Sequence, residues 1–326
     1  MSVEQQNTSW SGEHCAARYA IVVATRGRGR KIVPLIESVL ANEVCDFEMV
    51  IVDQSSDDVT RRAISPFLKD GRIRYLHSRL TGTSRARNLG ISKTTAPIIA
   101  ITDDDCIVPK QWLFALGSAF QRYPDVGVVF CSVEPVPVDV AGWTPHIVFK
   151  ASLLVRNVSE LWRRSIDGFA LGAGMAIRRT MFNDVGGFDE LLGPGAKFGA
   201  AEDNDLSWRG LLGGWQTFLC ADVAVVHDGF RNLEEVRSLV DRDMYGLGGA
   251  LSKYLRVGRW EVAALLASMV LRLGATAPAR DLLAGRRPRG FRKVYKLLCG
   301  VAAGLRAPID RNHLVYALNS SPTPKD

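Results

Sequence analysis

Residues 96–105 read Ala-Pro-Ile-Ile-Ala-Ile-Thr-Asp-Asp-Asp, an apolar run that stops at three consecutive carboxylates. The apolar part, Pro97 to Thr102, reads as a buried strand. Carboxylates so close repel and raise one another's pKa, so a strand end of this kind is costly unless a cation neutralises it. A divalent ion does so, and hard oxygen ligands suit Mg²⁺ or Mn²⁺, which commonly hold substrate phosphates as well. The competing reading is a polar turn in which Asp105 or a neighbour caps the helix opened by Pro109 and Trp112.

Outward from this strand, the same strand-then-helix unit repeats. Tyr19–Ala24, Phe47–Val52, Ile73–Leu76 and Val126–Val133 read as strands. Lys31–Leu40, Val59–Leu68, Ser84–Ser92 and Trp112–Tyr123 read as helices by their apolar spacing. Alternation of this kind predicts an α/β fold with a mostly parallel central sheet flanked by helices. Ligands in such open sheets sit beyond the carboxyl ends of the strands. Thr25, Asp53 and Asp103 to Asp105 all fall there. Gly27-x-Gly29 with Asp53 also mimics a dinucleotide fingerprint, but Ile32 occupies the place of the third glycine, and Arg26, Arg28 and Arg30 crowd a turn that would have to approach pyrophosphate through bare backbone.

At 326 residues, with 47% hydrophobic and 23% charged residues, the chain suits one large α/β domain with an appendage. Its six cysteines form no Cys-x-x-Cys pair, which points to free thiols in a reducing compartment rather than a zinc site. The first 15 residues lack the apolar core of a signal peptide. The longest apolar stretch, Val262 to Leu271, is shorter than the ~20 residues that a bilayer crossing needs. The net charge of +7 is uneven: residues 231–326 carry 17 Lys/Arg against 8 Asp/Glu. A basic appendage implies an anionic partner. The expected division is a flexible segment 1–17, an α/β domain 18–230 (with halves 18–107 and 108–230) and a basic helical region 231–326.

Six pieces in order carry a resemblance: Ala24-Thr25-Arg26, Val50-Ile51-Val52-Asp53, Ser84 to Gly90 (Ser-Arg-Ala-Arg-Asn-Leu-Gly), Asp103-Asp104-Asp105, Val185-Gly186-Gly187-Phe188-Asp189-Glu190, and Glu202-Asp203-Asn204-Asp205-Leu206 with Arg209. Gly172 to Arg178 and His227 fit alongside them. Over about Tyr19 to Phe230 the sequence resembles family 2 glycosyltransferases, which have the GT-A fold, a Rossmann-like sheet flanked by helices. Gln54-Ser55-Ser56 departs from the second acid or Asn and Gly-Ser that many members carry.

The resemblance implies an inverting, metal-dependent transferase that moves a hexosyl group from a nucleotide-diphosphate sugar to a glycan or lipid-linked acceptor in cell-envelope polysaccharide or glycolipid synthesis. Mn²⁺ or Mg²⁺ would be held by Asp105 with Asp103 and His227. Thr25, Arg26, Asp53, Asp103 and Asp104 would contact the nucleotide sugar, and Arg85 and Arg87 its diphosphate, since a guanidinium fork matches phosphate oxygens. Asp203 would be the base, with Glu202 turned toward the acceptor. Gly172, Gly174, Gly187 and Phe188 would shape the acceptor side, and loops between Val133 and Phe169 would choose the acceptor. Alternative readings of the acids are the dipole-stabilised first turn of a helix for Glu202 to Asp205 and a turn or cap for Asp53.

In the last third, Leu233–Arg256 and Trp260–Leu273 read as helices, the second ended by Gly274 and Pro278. The stretch 285–296 (Gly-Arg-Arg-Pro-Arg-Gly-Phe-Arg-Lys-Val-Tyr-Lys) interleaves positive charge with aromatics, a pattern suited to an anionic membrane surface. Nucleic acid is the rival partner, and an ordinary solvated helix pair the plainer one. The expected location is cytoplasmic, peripheral at the inner face of the plasma membrane. Two other functions compete: a sugar-phosphate nucleotidyltransferase, which would show a glycine-rich triphosphate loop and a lysine after the first strand, and a non-catalytic membrane-associated nucleotide-binding scaffold, which would have no reason to keep clustered acids.

Overall fold

Four apolar runs, Tyr19–Thr25 (β1), Phe47–Asp53 (β2), Ile73–His77 (β3) and Ile98–Asp103 (β4), pair in parallel in the order β3-β2-β1-β4. Helices Val33–Leu40 (α1), Val59–Ile64 (α2) and Thr83–Ser92 (α3) connect them. Near-continuous hydrophobicity in β1, β2 and β4 follows from burial on both faces of the sheet. Pairing registers Thr25 with Asp53, Ala24 with Asp103, and Asp53 with His77, so the expected ligand-bearing ends line up on one edge. These observations come from a computed structural model that describes residues 17–137, 143–164 and 171–317. Residues 1–16, within the segment expected to be flexible, and parts of the 133–169 loop region lie outside the described residues.

The chain continues through Cys106–Ile107 (β5), Trp112–Arg122 (α4), Val126–Pro135 (β6), Leu153–Val155 (β7), Val158–Arg163 (α5), Met175–Arg178 (β8), Arg179–Asp184 (α6), Glu202–Leu212 (α7) and Gln216–His227 (β9). These extend the sheet as β4-β8-β6-β9-β5, with β7 also on β9. The mostly parallel sheet flanked by helices is thus present, and its antiparallel pairings all involve β5, β7 or β8. Two local expectations change. The helix expected over 59–68 stops at Ile64 and tightens to a 3₁₀ turn over Ser65–Lys69, because Pro66 lacks the N–H that a continued helix needs. No acid caps α4: Gln111 precedes it and makes no side-chain cap, so the Asp triplet is not a capping turn.

Leu233–Arg256 (α8) begins at a capping box, with Asn232 Oδ1 accepting from the Glu234 and Glu235 amides and Glu235 returning a bond to the Asn232 amide. Trp260–Leu271 (α9) runs through a π turn over Arg272–Thr276 into Ala277–Leu283 (α10). Gly274 and Pro278 therefore do not end this helix. The wider turn before Pro278 accommodates a ring that would otherwise strike the carbonyl one turn back. Trp260–Leu283 is 24 residues long and contains an 18-residue window of mean hydropathy 1.6, long and apolar enough to cross a membrane by length and composition, which corrects the shorter apolar stretch read from the sequence.

Phe291–Arg306 (α11) packs on α8 with backbones touching: a Cβ at Gly248 would lie 2.0 Å from the Leu297 carbonyl, and one at Gly300 2.0 Å from that of Tyr245. A hairpin of Ile309–Asp310 (β10) and Val315–Tyr316 (β11) follows. Leu247, Leu251, Tyr254, Val262, Leu265 and Leu297 share one core cluster with Val22, Ile99, Phe130 and Leu206, so the C-terminal helices and the sheet bury a common apolar interior.

Candidate functional site

Above the strand ends, the turn after β1 folds inward. Gly27 and Gly29 take φ of +66° and +54°, and between them Arg28 turns back over the Asp triplet. Its Nε lies 2.9 Å from Asp104 Oδ1 and its Nη2 2.8 Å from Asp105 Oδ2. This explains the glycine pair without a dinucleotide. The antiparallel pairing of Cys106 with His227 brings β9 to the same spot, and His227 Nε2 lies 3.2 Å from the other Asp105 oxygen. His227 Nδ1 meets the Pro145 carbonyl at 2.9 Å, fixing the ring.

Burial raises the Asp105 carboxyl, but the His227 hydrogen bond and charge and the Arg28 guanidinium outweigh it and hold the carboxyl below its ordinary value. Burial lowers His227, and Asp105 overcomes that and raises it. Burial pushes Asp104 up to about 6, against the pull of Arg28. Asp105, Cys106 and His227 place one ligand atom each within 4.8 Å of one another. The carboxylate suits Mn²⁺ or Mg²⁺ at such a point, and a neutral imidazole is a common metal ligand beside it. Burial drives the Cys106 thiol far above its ordinary range, so it stays protonated and is a poor ligand. Asp103, expected as a ligand, lies outside this trio and turns to Arg87.

Arg87 is not an open diphosphate contact. It is buried at 3% exposure and donates to Asp103 Oδ1 at 3.2 Å and to Glu202 Oε1 at 2.9 Å. Its guanidinium also stands 5.5 Å from the centroid of the Phe188 ring. Gly172 permits this, since a Cβ there would lie 2.5 Å from Arg87 Nη2. Arg85 pairs with Glu190 at 3.0 Å. Arg26 is exposed at the strand end. Asp53 is fully buried: Ser55 donates to one oxygen from both its amide and its hydroxyl, and Tyr75 donates to the other at 3.0 Å. Asp53 is thus engaged in a turn with Ser55, while its Oδ2, with one donor, keeps capacity to accept another. Thr25, its partner in register, is buried as well.

The second half of the site is the start of α7. Ala201 precedes it with φ of +72°, a left-handed strain at a non-glycine residue, and Glu202 and Asp203 follow, both buried. Asp203 Oδ1 accepts the Asn204 amide at 2.7 Å. Burial and the neighbouring Glu202 push the Asp203 carboxyl up to about 7 despite Arg87 and the Asn204 and Gly172 backbone hydrogen bonds. Glu202, expected to face the acceptor, has its Oε1 held by Arg87.

The loop from Val185 to Ala201 frames this point. Gly187 takes φ of +81° and offers its carbonyl to Arg209 Nη2 at 2.6 Å, while Phe188 is buried in the core rather than displayed. Gly174 lets the chain pass close to Cys131. Beneath the loop, Lys253 of α8 is fully buried between Asp189 at 2.6 Å and Asp205 at 2.8 Å, and Arg209 completes the charge balance on Asp205 at 2.9 Å. Sequence reading missed Arg28 and Lys253. Arg28 was signalled only by its glycine-flanked place, and Lys253 by nothing local.

The sequence model described as glycosyl transferase family 2 matches residues 20–186, about half of the chain. The chain belongs to this family. Family membership favours a sugar-transferring enzyme over the scaffold and nucleotidyltransferase readings. Glycosyltransferase GlyG of Streptococcus pneumoniae is 30% identical over 176 residues, 51% of this chain and 58% of that protein. An uncharacterized glycosyltransferase of Rickettsia felis is 35% identical over 94 residues, and the chain spans 16% of its length. The chain thus spans less than two thirds of these curated relatives. The family 2 transferase also superposes on a mannosyltransferase of Pyrobaculum calidifontis in complex with GDP-Man and Mn²⁺, with TM-score 0.58, 18% identity and coverage of 90% and 88% of the two chains. Residues 1–349 of TarS from S. aureus, in complex with UDP, give TM-score 0.54 at 14% identity, covering 90% and 95%. At these identities the likeness concerns the fold, GT-A.

Proposed function

We propose that this transferase moves a sugar from a nucleoside-diphosphate donor bound above β1 and β4 to a hydroxyl of a glycan or lipid-linked acceptor presented at α7, with inversion. The observation that carries this is Arg87, one buried guanidinium that joins Asp103 of the donor edge to Glu202 beside the base. Donor-side and acceptor-side carboxylates thereby stand within a single side chain of each other.

In this reading Asp203 takes the proton of the acceptor hydroxyl as its oxygen bonds to the sugar's anomeric carbon. The bond from that carbon to the diphosphate breaks on the opposite face, and its electron pair leaves with the nucleoside diphosphate. Asp203 as a single base, with the neighbouring Glu202 tied up by Arg87, supports direct displacement. Asp105 and His227 would hold Mn²⁺ or Mg²⁺, with Asp103 in reach once it releases Arg87. When bound, the ion supplies Lewis-acid stabilisation of charge on the departing diphosphate. Arg87 keeps Glu202 and the first turn of α7 in place, and burial keeps water away from Asp203.

Calorimetric titration of UDP, GDP and dTDP with and without Mn²⁺ tests the donor site. One nucleotide should bind in a metal-dependent way and lose that binding in Asp105→Ala. No binding of any nucleotide under either condition would overturn the reading.

The basic turn 284–290 supports placing the acceptor on a membrane. Leu282, Leu283, Phe291 and Tyr295 are exposed around it, Leu283 at 91%, beside Arg286, Arg287 and Arg289. Val262, Leu265 and Met269 pack one face of α9 into the protein core, which favours a helix lying along a bilayer over one crossing it. We place the enzyme in the cytoplasm, peripheral at the inner face of the plasma membrane, with nucleic acid set aside. Sedimentation with phosphatidylglycerol vesicles should capture the protein and phosphatidylcholine vesicles should not. Leu283→Asp with Phe291→Asp should abolish capture.

A further inference from the structure

We propose that Arg28 is a resident counter-cation of the Asp104–Asp105 pair, exchanged for the metal ion when the nucleoside diphosphate arrives and then bound to that diphosphate. This rests on the donor-site reading above and adds to it a residue and an order of events. Both oxygens of Asp105 are engaged, one by Arg28 at 2.8 Å and the other by His227 at 3.2 Å. Asp104 is held by the second prong of the same guanidinium at 2.9 Å. A metal ion at Asp105 would meet a positive guanidinium a few ångströms away on the same carboxylate. Metal and Arg28 therefore compete for one seat.

The turn that carries Arg28 is built to let it leave. Both flanking residues are glycines at positive φ, and a Cβ at Gly27 would meet nothing within 4 Å, so the backbone has room on that side. The Arg28 side chain is 31% exposed, whereas Asp104 and Asp105 are at 8%, so the guanidinium plugs the mouth of the site. A diphosphate docking over the carboxyl ends of β1 and β4 offers Arg28 an alternative pair of anionic oxygens of matching fork geometry. Once Arg28 moves to the phosphate, the Asp pair is left uncompensated and the metal is drawn in. Each ligand then strengthens the other, because both favour the state in which Arg28 has left the carboxylates.

The test is Mn²⁺ binding followed by electron paramagnetic resonance of the free ion, and UDP and GDP binding by calorimetry, on the wild type and Arg28→Gln. In the wild type, Mn²⁺ alone should bind weakly, and the preferred nucleotide should tighten it about 10-fold or more, within the usual range of such couplings. In Arg28→Gln, Mn²⁺ alone should bind about 10-fold tighter than to the wild type, the nucleotide alone should bind more weakly, and the coupling between them should fall toward one. Arg28→Lys, which keeps the charge and loses the fork, should fall between. Equal Mn²⁺ affinity in wild type and Arg28→Gln, with strong nucleotide coupling in both, would overturn the exchange while leaving the donor site intact. Failure of the wild type to bind Mn²⁺ and nucleotide together would overturn both. Circular dichroism of the variants establishes that they fold.

Discussion

Asp203→Asn is expected to lower kcat by about 10²- to 10⁴-fold, the range that a positioned general base contributes, while nucleotide and Mn²⁺ affinities stay within about twofold of the wild type. The amide keeps the shape and still accepts the Asn204 amide bond, but it cannot take a proton. The same carboxyl predicts the pH dependence. Because burial and Glu202 raise it to about 7, the wild-type log kcat/KM should fall with unit slope as pH drops below about 7. Residual activity of Asp203→Asn should lack that limb.

The stability effect has the opposite sign from a catalytic lesion. A carboxyl whose folded pKa exceeds its unfolded value near ~4 holds its proton longer in the native state, so it costs stability as pH rises through about 4 to 7. The Asn variant is relieved of that cost and should melt no lower than the wild type at pH 8. A rate within tenfold of wild type would remove Asp203 from the role of base.

Lys253→Met is the second large effect, this time on the fold. Lys253, Asp189 and Asp205 are all fully buried, and with Arg209 they make two cations against two anions. Deleting one member of such a set costs about 3–5 kcal/mol, because the partner charge is left buried and unpaired. At the slope usual for a chain of this size, the melting temperature should drop by roughly 10 °C. The network ties α8 to the loop at Asp189, whose other donors are the Leu191 and Tyr316 amides, and to the turn of α7 that follows Asp203. Activity should therefore fall along with stability. Adding Asp189→Asn removes the stranded charge, and the double variant should recover part of the loss. A single variant that melts within about 2 °C of the wild type would show that the network is dispensable.

The two effects differ in how far the sequence foretold them. Asp203 was legible: it heads a helical pattern after small residues, in an acidic run whose order matches the family. The same holds for the strands. Runs such as Tyr19–Thr25 and Phe47–Asp53 are buried on both faces, and their composition alone says so, because a two-sided environment leaves no polar positions. Their carboxyl ends, and hence Thr25, Asp53 and the Asp triplet, follow from the parallel order.

Partners could not be read in this way. Asp53 and Arg87 were assigned to the nucleotide from their places in motifs, and in the structure Ser55 and Tyr75 occupy the first while Asp103 and Glu202 occupy the second. Gly274 and Pro278 looked like a helix end because local propensity stops a helix there, and a π turn carried it on. Lys253 sits among glycines and serine on α8 with no local sign of burial, since lysines are seldom buried and only the approach of two distant aspartates makes it tolerable.

By itself, the sequence determined the layered fold, the edge of the sheet that carries the chemistry, and the acids that crowd it, because hydrophobic period and strand-end chemistry are local properties. The tertiary structure alone decided which cation answers each acid: Arg28 for Asp104 and Asp105, Arg87 for Asp103 and Glu202, Lys253 for Asp189 and Asp205. The reason is physical. The energy of a buried charge depends on what the fold brings within about 3 Å of it, and between Asp189 and Lys253 that partner comes from 64 residues away.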